Sequence, residues 1–172
     1  MSYVIHSLAR IIGHDNLVIG DRTQIDDFVF LNAGKSTRIG RHVHIASFVS
    51  IIGGGELVVD DFAGIAAGAR IVTGTDDFSA DAMTGPTVPP KYKALKIGKI
   101  HIGRHALIGT NAVVMPGVTV GDGAVAGAGC MVRKDLEPWT VYVGQECRAI
   151  RKRPNENIMR MEQELADEEA GE

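Results

Sequence analysis

Aliphatic residues return every six positions along most of this chain. One run is Ile19, Ile25, Leu31; a second is Ile39, Ile45, Ile51; a third is Val59, Ile65, Ile71. A fourth is unbroken: Ile102, Ile108, Val114, Val120, Ala126, Val132. The residue after each marker is usually small or acidic, as at Gly20, Asp26, Gly40, Ala46 and Gly103. The residue two before it is small or β-branched, as at Thr23, Val29, Ala63, Ala106 and Cys130. A helix repeats every ~3.6 residues and a strand every ~2, so neither produces this period. A six-residue unit reads instead as a short strand and a turn. Three such units close one triangular coil of a parallel β-helix, with the markers pointing inward.

A longer period lies over the first. Markers 19, 39 and 59 are spaced by 20, so each early coil carries two extra residues before the next coil begins. At that spacing Ile5, Ile25, Ile45 and Ile65 form one column and Ile11, Leu31, Ile51 and Ile71 another. Leu8, Phe28 and Phe48 form a third, and Gly34, Gly54 and Gly74 stack at the inserted corner. Successive coils rise by ~4.8 Å, so these columns are expected contacts. The first 18 residues read as a degenerate end coil. The regularity breaks once: 31 positions separate Ile71 from Ile102 where six are expected. Residues 73–100, with Gly85, Pro86, Pro89 and Pro90, read as a loop excursion that leaves and rejoins the solenoid at the inserted corner. The repeat domain spans 1–153. Pro154 then opens a helical stretch, 154–172, that puts Ile158, Met161 and Leu165 on one face.

Composition agrees with this reading. The chain has 17 Val and 17 Ile against eight Leu, 21 Gly, and few aromatics, which suits an all-β fold of short strands and turns. No apolar run approaches the ~18 residues of a membrane span, and the start lacks a signal-peptide layout. Two cysteines, Cys130 and Cys147, make no disulfide framework and favour a reducing, cytoplasmic setting. Net charge is -3, so nucleic acid is not an expected partner. Residues 154–172 hold seven acids and one arginine, which leaves the solenoid with 17 Lys and Arg against 14 acids.

The segment Ile108-Gly109-Thr110-Asn111-Ala112-Val113-Val114-Met115-Pro116-Gly117-Val118-Thr119-Val120-Gly121 resembles the most recognisable stretch of the hexapeptide-repeat acyltransferases. Ala126 to Gly129, Val132 to Asp135, Gly144, and Cys147 to Arg151 continue the likeness. That family folds as left-handed parallel β-helices and assembles as homotrimers, with acetyl-CoA between neighbouring solenoids. The nearest branches are the galactoside, maltose and xenobiotic acetyltransferases and the sugar acetyltransferases of surface-polysaccharide and lipopolysaccharide pathways. The resemblance implies that Thr110 and Ala128 line the pantetheine channel with backbone groups. It also implies that Arg133, Lys134, Arg148 and Arg151 lie near the CoA phosphates. Two positions depart from the galactoside pattern. Thr73-Gly74 is followed by Thr75 and not by histidine, and Glu146 stands where proline usually precedes Cys147.

Acyl transfer needs a base for the acceptor, donors for the oxyanion, and a thioester in reach. Candidates for the base are His44, on an outward position in a glycine-rich context, and His105, which shares its hexad position with His42. Asp76 and Asp77, where the excursion leaves the solenoid, are the others. Each has a plainer reading, as surface or interface histidines and turn-forming aspartates. Cys130 reads as a buried hydrophobe, and Cys147 has no required nucleophilic role. The expected activity is transfer of an acetyl group from acetyl-CoA to a hydroxyl or amine of a sugar, either a nucleotide sugar or a glycan precursor. Two alternatives stay open: a non-catalytic β-helix used for assembly, and a γ-carbonic-anhydrase-like zinc protein using His44, His101 and His105. No metal is expected under the main reading.

Overall fold

The computed structural model describes residues 2–79 and 81–171; Met1, Ala80 and Glu172 lie outside the described residues. Three sheets of parallel strands form the faces of a triangular prism. The first face stacks Val4–Ile5, Gln24–Ile25, His44–Ile45, Gly64–Ile65, Leu107–Ile108, Val125–Ala126 and Thr140–Val143, and Arg148–Lys152 joins its end antiparallel. The second stacks Arg10–Ile12, Phe30–Asn32, Ser50–Ile52, Arg70–Val72, Val113–Val114 and Met131–Val132. The third stacks Leu17–Ile19, Ser36–Ile39, Glu56–Val59, Ile100–Ile102 and Thr119–Val120. The result is a left-handed parallel β-helix of about seven turns with one C-terminal helix.

The hexad markers set the register. Ile5, Ile25, Ile45, Ile65, Ile108 and Ala126 pair in succession on the first face. Ile11, Leu31, Ile51, Ile71, Val114 and Val132 do so on the second. Ile19, Ile39, Val59, Ile102 and Val120 do so on the third. Most are fully buried, and the residues two before them, such as Val29, Ala63, Ala106 and Cys130, fill the corners of the same core. Burying each Val or Ile contributes ~1.5–3 kcal/mol.

Corners are turned by single residues with positive φ. Between the third and first faces these are Arg22, His42, Phe62, His105, Gly123 and Trp139. Their rings form a ladder, with centroids 4.8 Å apart for His42–Phe62, 4.9 Å for Phe62–His105 and 6.3 Å for His105–Trp139. At the inserted corner Gly34 abuts Gly54, but Gly74 abuts Gly53 and not Gly54, so the glycine stack slips by one where the excursion begins. A Cβ on Gly53 would run into the Gly74 nitrogen, which admits only glycine.

The helix Glu156–Ala170 lies along the ring ladder. Its inward face is Ile158, Glu162, Leu165 and Glu169, while Met161 is 51% exposed, contrary to the apolar face expected from the sequence. The reason is charge. Glu162 Oε2 is 2.6 Å from His105 Nε2 and Glu162 also pairs with Arg104; Glu169 is 2.9 Å from His42 and 3.1 Å from Arg22. The two acids are seven residues apart, ~10.5 Å along a helix. His42 and His105 are two coils apart, ~9.6 Å along the solenoid. The spacings match, so a cationic corner selects glutamates over methionine. No described helix is long and apolar enough to cross a membrane.

Ile65→Ala, which removes one fully buried marker, is expected to lower unfolding free energy by about 2–5 kcal/mol in urea denaturation. A change near zero would show that the column does not carry the fold.

Candidate active site

The excursion is anchored by Thr73, which is buried at the corner. Its Oγ1 donates to the Ile52 carbonyl at 2.9 Å and accepts from the Gly55 amide at 2.9 Å. Strands Gly74–Asp76 and Leu95–Ile97 then pair antiparallel and hold the loop in a hairpin. The hairpin leans over the outer surface of the second face and encloses a largely apolar cavity of about 690 Å³. Phe30, Ile52 and Val72 line one side and Thr75, Asp76, Leu95 and Ile97 the other, with Pro86 and Lys93 at the wall. Asp76 is the one carboxylate in that lining, and its Oδ2 accepts from the Gly85 amide at 3.3 Å.

Asp77 points elsewhere. It is 2.7 Å from Lys96 Nζ and accepts from both the amide and the hydroxyl of Ser79. Those bonds, Lys96 first, hold its carboxyl down at about 2. Asp77 therefore fastens the hairpin to the loop.

His44 stands on the first face, with its side chain 55% exposed and Nε2 3.0 Å from Asp26 Oδ2. The Gln24 amide, and then His44 against some desolvation, hold the Asp26 carboxyl below its ordinary range. Beside His44 runs an apolar groove of about 360 Å³, which exists because Gly64 leaves a gap between His44 and Leu107. Asp76 lies under the hairpin over the second face and His44 on the first face, and the two cavities share no lining residue. One chain does not bring them together.

His105 belongs to the ring ladder and bonds Glu162. Burial, followed by Arg104 and Arg153, lowers its pKa and favours the neutral ring. The three histidines weighed as zinc ligands each face a different carboxylate: His101 with Asp60 at 2.6 Å on the third face, His105 with Glu162 at a corner, His44 with Asp26 on the first face. They do not converge.

The positive end of the solenoid is also built. Arg133 and Lys134 line a cavity of about 340 Å³ with Asp135, Tyr142, Glu146 and Cys147. Arg148 pairs with Glu146 at its rim, and Arg151 is exposed on the same edge strand. Thr110 and Ala128 are exposed on adjacent coils at the corner between the first and second faces, where the Gly129 amide donates to the Thr110 carbonyl at 2.9 Å. Cys130 is fully buried, and burial together with Cys130 pushes the Cys147 thiol up to about 12, which suits no nucleophile. Asp26 was missed in the sequence, although it follows a first-face marker one coil below His44, so the column arithmetic pointed to it.

A family model described as the hexapeptide repeat of succinyl-transferase matches residues 99–134. The chain belongs to the hexapeptide-repeat family of sugar acyltransferases. It is 36% identical over 146 residues to the dTDP-4-amino-4,6-dideoxy-D-glucose acyltransferase of Escherichia coli, covering 84% of this chain and 76% of that one. It is similar to AntD, an N-acyltransferase from Bacillus cereus, solved with dTDP and 3-hydroxybutyryl-CoA. There the TM-score is 0.92 and identity 34%, over 98% of this chain and 88% of that one. A lipopolysaccharide biosynthesis O-acetyl transferase, WbbJ of E. coli K12, is 29% identical over 81% of this chain and 62% of its own length.

If Asp77 fastens the excursion, its contribution is present above its unfolded value of 3.8 and is lost as pH falls toward about 2. Pepsin is expected to begin cutting within residues 78–94 in that interval, and Asp77→Asn to be cut there already at the top of it. Equal cutting of both proteins throughout would show that Asp77 has no such role.

Proposed function

We propose that this protein transfers an acyl group from a CoA thioester to the amino group of a nucleotide-linked aminodeoxy sugar. The observation that carries the reading is Asp76, a lone carboxylate on the wall of an apolar cavity. A carboxylate in such a place suits an amine, whose N–H groups it accepts and whose lone pair it aims. The names of the E. coli and B. cereus relatives support an amine on a dTDP sugar. WbbJ, an O-acetyl transferase, is the relative that speaks for a hydroxyl acceptor.

In the reaction the amine nitrogen attacks the thioester carbonyl, a C–N bond forms and the C–S bond breaks. The proton shed by nitrogen ends on the departing thiol. Asp76 orients the amine and His44, backed by Asp26, relays the proton. These two groups stand on different faces of one prism, so this reading requires a site shared between copies, as in a homotrimer. His105 and Asp77 keep the structural roles described above. Arg133, Lys134, Arg148 and Arg151 face the CoA phosphates, and Thr110 and Ala128 offer backbone groups to the pantetheine arm. Acetyl is the acyl group in this reading, which also keeps residues 1–153 as the catalytic domain, 154–172 as an appended helix, and the cytoplasm as the setting.

The direct test supplies dTDP-4-amino-4,6-dideoxyglucose and acetyl-CoA and follows free thiol. Wild type is expected to release it, and Asp76→Asn to lose at least ~100-fold in kcat. No thiol release, or an Asp76→Asn enzyme as fast as wild type, would overturn the reading. The double variant Arg133→Ala, Lys134→Ala is expected to raise the KM for acyl-CoA about tenfold, with the gap narrowing as salt rises. An unchanged KM would remove those residues from the phosphate site.

A further inference from the structure

At the corner between the first and second faces, Phe28, Phe48, Gly68, Asn111 and Gly129 have positive φ. Glycine and asparagine take that conformation at little cost, whereas a bulky side chain there is strained. Phe28 and Phe48 both adopt φ 65, their rings stack with centroids 5.2 Å apart, and they are 53% and 61% exposed. Adjacent coils thus combine backbone strain with aromatic surface in water. Neither stabilises the isolated chain, and strain of this kind marks sites that something else completes.

The ladder stops at the next coil. Gly68 has no side chain, so the face of Phe48 turned toward it has no ring to stack on. The Asn111 carboxamide, one coil further, bends into the space that a Cβ on Gly68 would need. Arg70 is pinned beside this gap: its Nη1 donates to the Phe48 carbonyl at 2.9 Å and to the Gly68 carbonyl at 2.6 Å. Among the described residues its Nε and Nη2 have no partner, so both donors remain for an anion.

We propose that this slot binds the base of the acceptor's nucleotide. The base stacks on the open face of Phe48, outside Gly68 and against the Asn111 carboxamide that bends in there. The Asn111 carboxamide, donor and acceptor at once, reads its edge, and the Arg70 guanidinium faces the diphosphate. The proposal rests on the nucleotide-sugar reading above and names the residues that would recognise the nucleotide.

Calorimetric titration of the full chain with dTDP, and separately with CoA, tests it. Phe48→Gly keeps the corner conformation and relieves its strain, so its melting temperature is expected to be no lower than wild type. Its dTDP affinity is expected to fall roughly ten- to hundredfold, the usual weight of a base–aromatic stack, with CoA affinity within twofold. Asn111→Gly, which also suits the corner, is expected to weaken dTDP severalfold and guards against a poorly folded first variant. Unchanged dTDP affinity in both variants would overturn the proposal. If sedimentation then showed Phe48→Gly falling apart into single chains, the aromatic pair would be a contact between copies. Wild type that binds CoA but not dTDP would also overturn it, yet leave acyl transfer to another acceptor standing. Binding neither would remove both readings.

Discussion

Everything in this molecule depends on inward aliphatic columns that close each coil into a triangle. A β-branched side chain with one preferred rotamer, repeated at the same position in coil after coil, fills a core about one residue wide. That core has no layer to spare, which is why Ile, Val and small residues occupy it and why leucine is scarce. Once the columns are stacked, the outward positions form straight rows along the solenoid. Chemistry on this fold is therefore arranged by row and by corner.

The corners are where this chain differs from a plain repeat. One carries a ladder of rings and cations that receives the acidic helix, with Glu162 and Glu169 at the pitch of alternate coils. A second carries strained, exposed phenylalanines beside a gap. The third releases the excursion, whose hairpin makes a cavity out of an otherwise flat face. The cationic end of the prism adds a fourth element. Arranged around a three-sided rod, these features face different directions, and an acyl transfer that uses Asp76 and His44 together requires a neighbouring rod.

The period of six made the faces, the register and the excursion legible, because each follows from counting. What counting missed depends on contacts across the chain. Met161 has the right spacing for an apolar helix face, but the surface beneath is a row of histidines and arginines, so Glu162 turns inward instead. Asp76 and Asp77 are neighbours with equal claims in the sequence. They separate only when the hairpin pairs Gly74–Asp76 with Leu95–Ile97 and brings Lys96 against Asp77. His44 and His105 separate in the same way, one on an open strand position and one in a corner stack under the helix. Asp26 was within reach of the column arithmetic, and the slip that sets Gly74 on Gly53 was not.

In the proposed reaction Asp76 and His44 act in one site formed between copies. Subunit mixing tests it most directly. Asp76→Asn and His44→Ala are each prepared, unfolded together, and refolded as mixed assemblies, and thiol release from acyl-CoA is measured with the aminodeoxy-sugar nucleotide. Each variant alone is expected to be nearly inactive and the mixture to recover a substantial fraction of wild-type activity, since some interfaces then hold both intact groups. A mixture that has refolded into assemblies but is no more active than its components would contradict it.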